Sequence, residues 1–257
     1  MKAYDVIKSL DFPEKALADK KVFKKAFYEN AGLAKKQVDL FKSDVDEVRW
    51  YYALKQDNIN ISGYKNDEVD YQEVQVIGVV LRDNKYAHSI AEIIQKAIQY
   101  PVILVIEHAD KVTFNAAFKR INKADTSKSV VDKIYNSGWI GDQGNTEKEF
   151  LDSIKIKNLS FTNFYEFYRD FVDRVKLFCV CEYKKNYEYK DRETTYRLFD
   201  AYLKIKELES QRIGLKREIK GESDFARKVN LNVGIKNIEE QMLNHKNQLN
   251  RQLYERE

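Results

Sequence analysis

The stretch that decides the fold is residues 73–108, EVQVIGVVLRDNKYAHSIAEIIQKAIQYPVILVIEH. Its first part is rich in β-branched side chains, which favours a strand. Residues 86–99 place isoleucines on one side of an amphipathic helix. The continuous apolar run after Pro101 is typical of a strand that is buried on both faces. A strand, a helix and a strand in this order predict a crossover that joins two parallel strands.

Further strand patterns lie on both sides of this stretch. Residues 45–55, VDEVRWYYALK, alternate in polarity, and residues 111–120 and 129–140 have the composition of two more strands. Residues 1–43 have helical spacing of apolar side chains. The sequence therefore predicts an α+β fold for residues 1–182, with a mixed five-stranded sheet flanked by helices.

An aromatic-rich segment follows the predicted sheet. Residues 161–178, FTNFYEFYRDFVDRVKLF, carry aromatic and branched side chains on one broad helical face. This pattern favours a core helix that packs on the sheet. The alternative is a platform for stacking nucleic-acid bases, which would require the rings to be exposed.

Residues 190–257 have two separate heptad patterns. The first consists of Leu198, Ile205, Leu208, Leu215 and Ile219, and the second of Leu231, Ile235, Ile238, Met242, His245 and Leu249. Gly221 lies between the two patterns. We therefore expect an antiparallel helical hairpin or coiled coil. The patterns do not distinguish a hairpin whose two helices bury their apolar residues against each other from one that binds a partner or a second copy of the chain.

Composition limits the class of protein. Of the 257 residues, 43% are hydrophobic and 33% are charged, and the net charge of +4 arises from basic and acidic residues that alternate along the chain. A dedicated nucleic-acid binder usually has a stronger, clustered basic excess. Neither an apolar run of membrane-spanning length nor a signal-peptide core is visible, so we expect a cytoplasmic protein. Cys179 and Cys181 lack the spacing of a structural zinc site and are expected to be reduced.

Four stretches resemble the bacterial family catalogued as "domain of unknown function 4391". They are VRWYYALKQDNINI, the central strand–helix–strand segment, AFKRINKADTSK with SGWI, and FARKVNLNVGIK, and together they cover most of residues 45–250. The family favours a lysine before Leu54, where this chain has Ala53. Lys55 is the nearest substitute.

The resemblance implies a setting rather than an activity. Similar proteins tend to be encoded beside helicase-like and DNA-methyltransferase-like genes, in restriction or phage-defence loci. It therefore implies a complex that acts on DNA, with a larger helicase-type or methyltransferase-type protein as the expected partner.

Acidic residues form the first candidate site. Glu73 and Gln75 lie two apart at the start of the strongest strand, so their side chains point to the same face. Glu107 ends the next strand. Metal-dependent nucleases hold Mg²⁺ between such carboxylates, although Gln75 stands where a lysine is usual. The alternative is that Glu73 and Glu107 are strand-end residues that face water.

Basic residues form the second candidate site, which would bind DNA or a phosphate group. Lys119 and Arg120 end a strand, and Lys123 and Lys128 follow in a loop with Ser127 and Ser129. They could hold an anion through charge-assisted hydrogen bonds. They could equally pair with Asp125 and Asp132.

Common catalytic motifs are missing from the sequence. It has no glycine-rich phosphate loop, no GxSxG elbow and no HExxH helix. We therefore expect a non-enzymatic accessory or interaction subunit of a DNA-acting complex, which docks through the hairpin. No cofactor or resident metal is expected. The alternative is a degenerate nuclease with a Glu73/Glu107 site, and only that alternative requires Mg²⁺.

Overall fold

The computed structural model describes residues 1–30, 33–126, 128–141, 144–184 and 186–251. The chain divides into two compact units, Met1–Lys176 and Leu177–Glu257. The first unit contains the β-sheet and every candidate site residue named above. The second contains the two longest helices that the structure describes.

The first unit contains both strands and helices. The strands that the structure describes are β1 (Leu17–Lys21), β2 (Val45–Lys55), β3 (Tyr64–Lys65), β4 (Asp70–Tyr71), β5 (Glu73–Leu81), β6 (Val102–His108), β7 (Lys111–Ile121) and β8 (Ser129–Asn136). The α-helices among the described residues are α1 (Ala3–Lys8), α2 (Lys25–Asn30), α3 (Lys35–Asp44), α4 (Gln56–Ile59), α5 (Ala87–Ala97), α6 (Asn145–Ser153), α7 (Phe164–Val180), α8 (Arg192–Gly221) and α9 (Phe225–Arg251). None of these helices is both long and apolar enough to span a lipid bilayer.

Among the described residues, the main sheet has six strands in the order β1-β2-β5-β6-β7-β8. The α+β class and the mixed sheet are confirmed, but the predicted number of five strands is wrong. The additional strand is β1, which pairs antiparallel with β2 at the edge of the sheet. Its sequence, LADKK, is mostly exposed and lacks the apolar alternation that predicts a strand. Backbone pairing and two ion pairs, Lys21 with Glu47 and Asp19 with Arg49, join it to β2. Its lysines are typical of an edge strand.

The centre of the sheet is the parallel pair that the opening stretch predicts. β5 and β6 run parallel, with Gln75 opposite Val102 and Val80 opposite Glu107. α5 is the crossover that joins them. All other neighbouring strands of this sheet are antiparallel. β3 and β4 form a separate two-stranded ladder.

α5 covers one face of the sheet. Ile90 and Ile94 of this helix are fully buried against Ile77, Leu104 and Ile106 of the two central strands. Phe27 of α2 and Phe41 of α3 extend the same cluster. This apolar layer holds the start of β5 in a fixed position.

The opposite face of the sheet packs on aromatic side chains of α6 and α7. Phe114 of β7 contacts Phe150 and Phe171 at ring-centroid distances of 5.5 and 6.0 Å. Phe164, Tyr168 and Phe171 are fully buried. This confirms the core-helix prediction, and burial rules out these rings as a base-stacking platform.

The Tyr168 hydroxyl lies between β6 and β7 where their direct pairing has ended. The Ala117 N–H donates to this hydroxyl at 2.9 Å, and the hydroxyl donates to the Val102 carbonyl at 2.8 Å. The Tyr71 hydroxyl accepts in the same way from the Lys119 N–H, at 3.0 Å. Tyrosine side chains therefore satisfy backbone groups of β7 at this end of the sheet.

The second unit contains α8 and α9, which contact each other along their length. The Asp191 side chain caps α8 by accepting from the Thr194 N–H at 2.7 Å. Arg212 and Lys216 of α8 lie 3.5 and 3.7 Å from the same Glu239 oxygen of α9. The predicted heptad residues are buried or half-buried, and the most buried are Leu198, Ile205, Leu208, Ile235, Met242 and Leu249. Residues 252–257 of the predicted hairpin lie outside the described residues.

Candidate functional site

Glu73 is the first residue of β5 and lies opposite Lys55, the last residue of β2. The Lys55 Nζ is 3.1 Å from Glu73 Oε2, and this hydrogen bond raises the pKa of the lysine. Lys55 thus neutralises the Glu73 carboxylate from the rim of the sheet. The sequence had singled out Lys55 only as a substitute for a family lysine.

Gln75 lies two residues further along β5 and is only 3% exposed. Its Nε2 donates to Glu73 Oε1 at 2.7 Å, and its backbone N–H donates to the Pro101 carbonyl at 2.9 Å. Gln75 Oε1 is buried and accepts no hydrogen bond from any residue that the structure describes. The structure therefore brings Glu73, Gln75 and Lys55 together as one polar cluster.

Glu107 lies at the other end of the sheet, which overturns the predicted Glu73/Glu107 pair. It is opposite Val80, seven residues along β5 from Glu73, and at ~3.3 Å per residue this places the two carboxylates about 23 Å apart. The reason is topological. When neighbouring strands run parallel, the first residue of one strand and the last residue of the other lie at opposite ends of the strands. The two carboxylates cannot share a metal ion.

Glu107 instead supports the N-terminal helix. Its Oε2 accepts from the Ala3 N–H at 2.8 Å, at the start of α1. Its Oε1 is 3.0 Å from the Lys2 Nζ, and this interaction raises the pKa of Lys2. A carboxylate at a helix N-terminus is electrostatically favourable. In the described part of the chain, no three His, Cys, Asp or Glu side chains are grouped as metal ligands.

Lys119 is buried rather than available to an anion. Its Nζ donates to the carbonyls of Ile98 and Tyr100 at 2.5 and 2.6 Å. These carbonyls belong to the connection between α5 and β6. Burial lowers the pKa of Lys119 from 10.5 to about 7.

Three of the predicted anion-binding residues, Lys119, Arg120 and Lys123, line one cavity of about 520 Å³, but Asp67, Glu68 and Asp132 line it as well. Arg120 lies 3.8 Å from Asp132, and Lys128 lies 2.9 Å from Asp125, which are the acidic partners that the alternative named. Lys123 is exposed. Ser127 lies outside the described residues.

A smaller cavity of about 270 Å³ adjoins the Glu73 cluster. Its walls combine aromatic and aliphatic side chains from α2, β2, β5 and α5 with a few polar groups. The lining residues are Val22, Ala26, Phe27, Trp50, Glu73, Gln75, Ile77, Ala97, Ile98 and Tyr100. Phe27 and Trp50 were not predicted as site residues, because their proximity depends on how α2 packs beside β2. The sequence feature that pointed to this cavity was Gln75, a polar side chain within an apolar strand.

Exposed apolar side chains define a second feature, on α9. Phe225, Val229, Val233 and Leu243 are 80%, 43%, 53% and 58% exposed. At 3.6 residues per turn they share one side of the helix, and the buried Met242 lies on the other side. We call these four residues the outer stripe.

The fold and these features define an α+β protein with a six-stranded mixed sheet and a C-terminal unit of two long helices. A family model described as "Domain of unknown function (DUF4391)" matches residues 10–242, and the chain belongs to this family. The resemblance inferred from the four sequence stretches is thereby confirmed. Neither a curated protein nor a solved structure matches the chain.

Proposed function

We propose that this chain is a non-catalytic accessory subunit, which docks onto a larger DNA-acting protein through an antiparallel hairpin formed by α8 and α9. The outer stripe carries this proposal. Phe225, Val229 and Val233 recur every four residues, which is the spacing by which a helix anchors in an apolar groove of a partner. Single exposed apolar residues are common on protein surfaces, whereas an aligned row of large ones marks an interaction surface.

The chemistry of the stripe describes its partner surface. An apolar groove would receive Phe225 and the two valines. Lys236 is exposed on the same side of α9, so an acidic side chain at the groove would pair with it. The family setting favours a helicase-type or methyltransferase-type protein as the owner of this groove.

The first unit supports an accessory role rather than catalysis. Glu73 and Glu107 are far apart, so a nuclease centred on this pair has no support from the geometry. The Lys119 amine is bound to two backbone carbonyls. Arg120 and Lys128 each have an acidic neighbour. Among the described residues, the acidic and basic candidates therefore do not assemble into a set of catalytic groups.

Co-purification tests the proposal. The full-length chain with an affinity tag is expressed with the helicase-like or methyltransferase-like product of a neighbouring gene. The double variant Val229→Asp with Val233→Asp introduces two charges into the outer stripe. The matched control is Gln241→Glu with Gln248→Glu, which adds the same charges to exposed positions of α9 that are not three- or four-residue neighbours of any stripe residue.

We expect the control to retain the partner and the stripe variant to lose most of it. Equal recovery with both variants would contradict docking through the stripe. Light scattering of the purified chain tests whether a second copy of the chain, rather than a different protein, binds the stripe. A dimer that becomes monomeric only in the stripe variant would show that the stripe binds a second copy, and the proposed partner docking would then be wrong.

A further inference from the structure

The cavity beside Glu73 has room for a small molecule with an apolar body. Phe27 and Trp50 contribute aromatic surface, and Ile77 and Ile98 contribute aliphatic surface. A volume of about 270 Å³ lies just below the usual range of small-molecule pockets. This volume can hold a ligand of one or two rings.

Gln75 lines this cavity and carries a buried hydrogen-bond acceptor without a partner in the described part of the chain. Its Nε2 faces Glu73 Oε1 at 2.7 Å, so the reverse orientation of the amide would place two oxygen atoms against each other. The amide nitrogen of Gln75 therefore points to Glu73, and its Oε1 points away from Glu73. This oxygen is buried and has no donor among the residues that the structure describes. A buried acceptor of this kind favours a ligand that donates to it.

Glu73 provides further acceptor capacity next to Gln75. Gln75 and Lys55 donate to different oxygens of its carboxylate, whereas a carboxylate can accept about four hydrogen bonds in total. The two side chains leave β5 on the same face, since they are two residues apart. Adjacent acceptors therefore lie at the polar edge of an otherwise apolar cavity.

We propose that this cavity binds a planar ligand that donates two N–H hydrogen bonds from one edge, to Glu73 and to Gln75 Oε1. Amidines, guanidines and amino-substituted heterocycles belong to this chemical class. The apolar body of the ligand lies against Phe27, Trp50 and Ile98. All of these residues belong to the first unit, so the proposal is independent of the docking function of α9.

The site discriminates against ligands of the opposite polarity. A carboxylate ligand has the same planar shape as an amidine, but it offers acceptors where the protein also offers acceptors. It would leave Gln75 Oε1 without a donor and would place its own oxygen atoms against the acceptor oxygens of Glu73. Specificity therefore comes from hydrogen-bond direction as well as from shape.

Benzamidine and benzoate are a matched pair of probes for this test. Binding to the full chain is measured by saturation-transfer NMR and by isothermal titration at millimolar probe concentration. Gln75→Met removes the acceptor and nearly preserves side-chain length. Gln72→Met is the control, since Gln72 is exposed and does not line the cavity. Ala97→Phe fills the cavity from α5 and leaves the polar cluster unchanged.

We expect benzamidine to bind to the wild-type chain and to the Gln72 control, and benzoate not to bind. Both Gln75→Met and Ala97→Phe should weaken benzamidine binding about ten-fold or more. Circular dichroism establishes that each variant is folded, and Ala97→Phe decides the outcome if Gln75→Met does not fold. The proposal is overturned if benzamidine does not bind to the wild type, or if it binds equally to the cavity variants.

Discussion

The buried amine of Lys119 should make the stability of the first unit depend on pH. Folding lowers its pKa from 10.5 to about 7 because the side chain is 3% exposed. Between these two values the unfolded chain binds more protons than the folded chain, so stability increases as the pH rises. The slope approaches about 1.4 kcal/mol per pH unit. Integration between pH 7 and pH 9 gives a gain of about 2 kcal/mol.

Lys119→Met removes this contribution and nearly preserves the length of the side chain. Urea unfolding of the wild type and the variant at several pH values in this window measures the difference in slope. The only two tryptophans of the chain, Trp50 and Trp139, lie in the first unit, so their fluorescence reports on that unit. Lys96→Met is the control, because the Lys96 side chain is 57% exposed.

We expect the unfolding free energy of the wild type and the control to rise more steeply with pH than that of Lys119→Met. The comparison of slopes cancels every other titrating group, and it does not depend on the cost of losing the bonds to the Ile98 and Tyr100 carbonyls. Parallel pH profiles for the wild type and Lys119→Met would refute the inference that burial holds the Lys119 pKa near 7.

Four further substitutions, at three positions, test the packing of the sheet by chemical denaturation. Gly78→Ala should cost about 1–3 kcal/mol, because its Cβ would lie 2.4 Å from the Tyr51 ring; unchanged stability would contradict this close approach. Tyr168→Phe should cost about 1–3 kcal/mol, because buried backbone groups lose their partner, and a neutral result would mean that these groups find other partners. Glu107→Gln should cost less than Glu107→Leu, because the glutamine amide oxygen can still accept from the Ala3 N–H and the Lys2 side chain of the lost ion pair is 57% exposed. Glu107→Leu should cost about 1–3 kcal/mol because the Ala3 N–H loses its acceptor. Equal losses for the two Glu107 variants would assign the effect to charge.

The central strands were predictable because their signal is local. The β-branched run of β5, the amphipathic α5 and the apolar β6 each bury their own side chains, so periodicity is sufficient to find them. β1 was not predictable in this way. Its side chains remain in water, and it is a strand because its backbone pairs with β2. Exposed side chains show no apolar alternation, so the sequence does not indicate this pairing.

In the candidate site, too, local features were predictable and contacts between distant segments were not. Glu73 and Gln75 share a face because neighbouring positions on one strand fix it. The predicted pairing of Glu73 with Glu107 was wrong because it depends on the direction in which the two strands run. Lys119 looked like an exposed strand-end cation, but the connection after α5 places two carbonyls over it. Contacts between distant segments decided both outcomes.

The position of Tyr168 along the chain has a consequence for biosynthesis. Its hydroxyl satisfies a backbone carbonyl 66 residues earlier and an N–H 51 residues earlier. At about 5–20 residues per second, the ribosome needs roughly 3–13 s to add the 66 residues from Val102 to this tyrosine. β6 and β7 are synthesised within that interval, before the group that bridges them at this end is added. The sheet of a growing chain therefore stays incomplete until α7 has left the ribosome, and a chain truncated before α7 would keep this end of the sheet open.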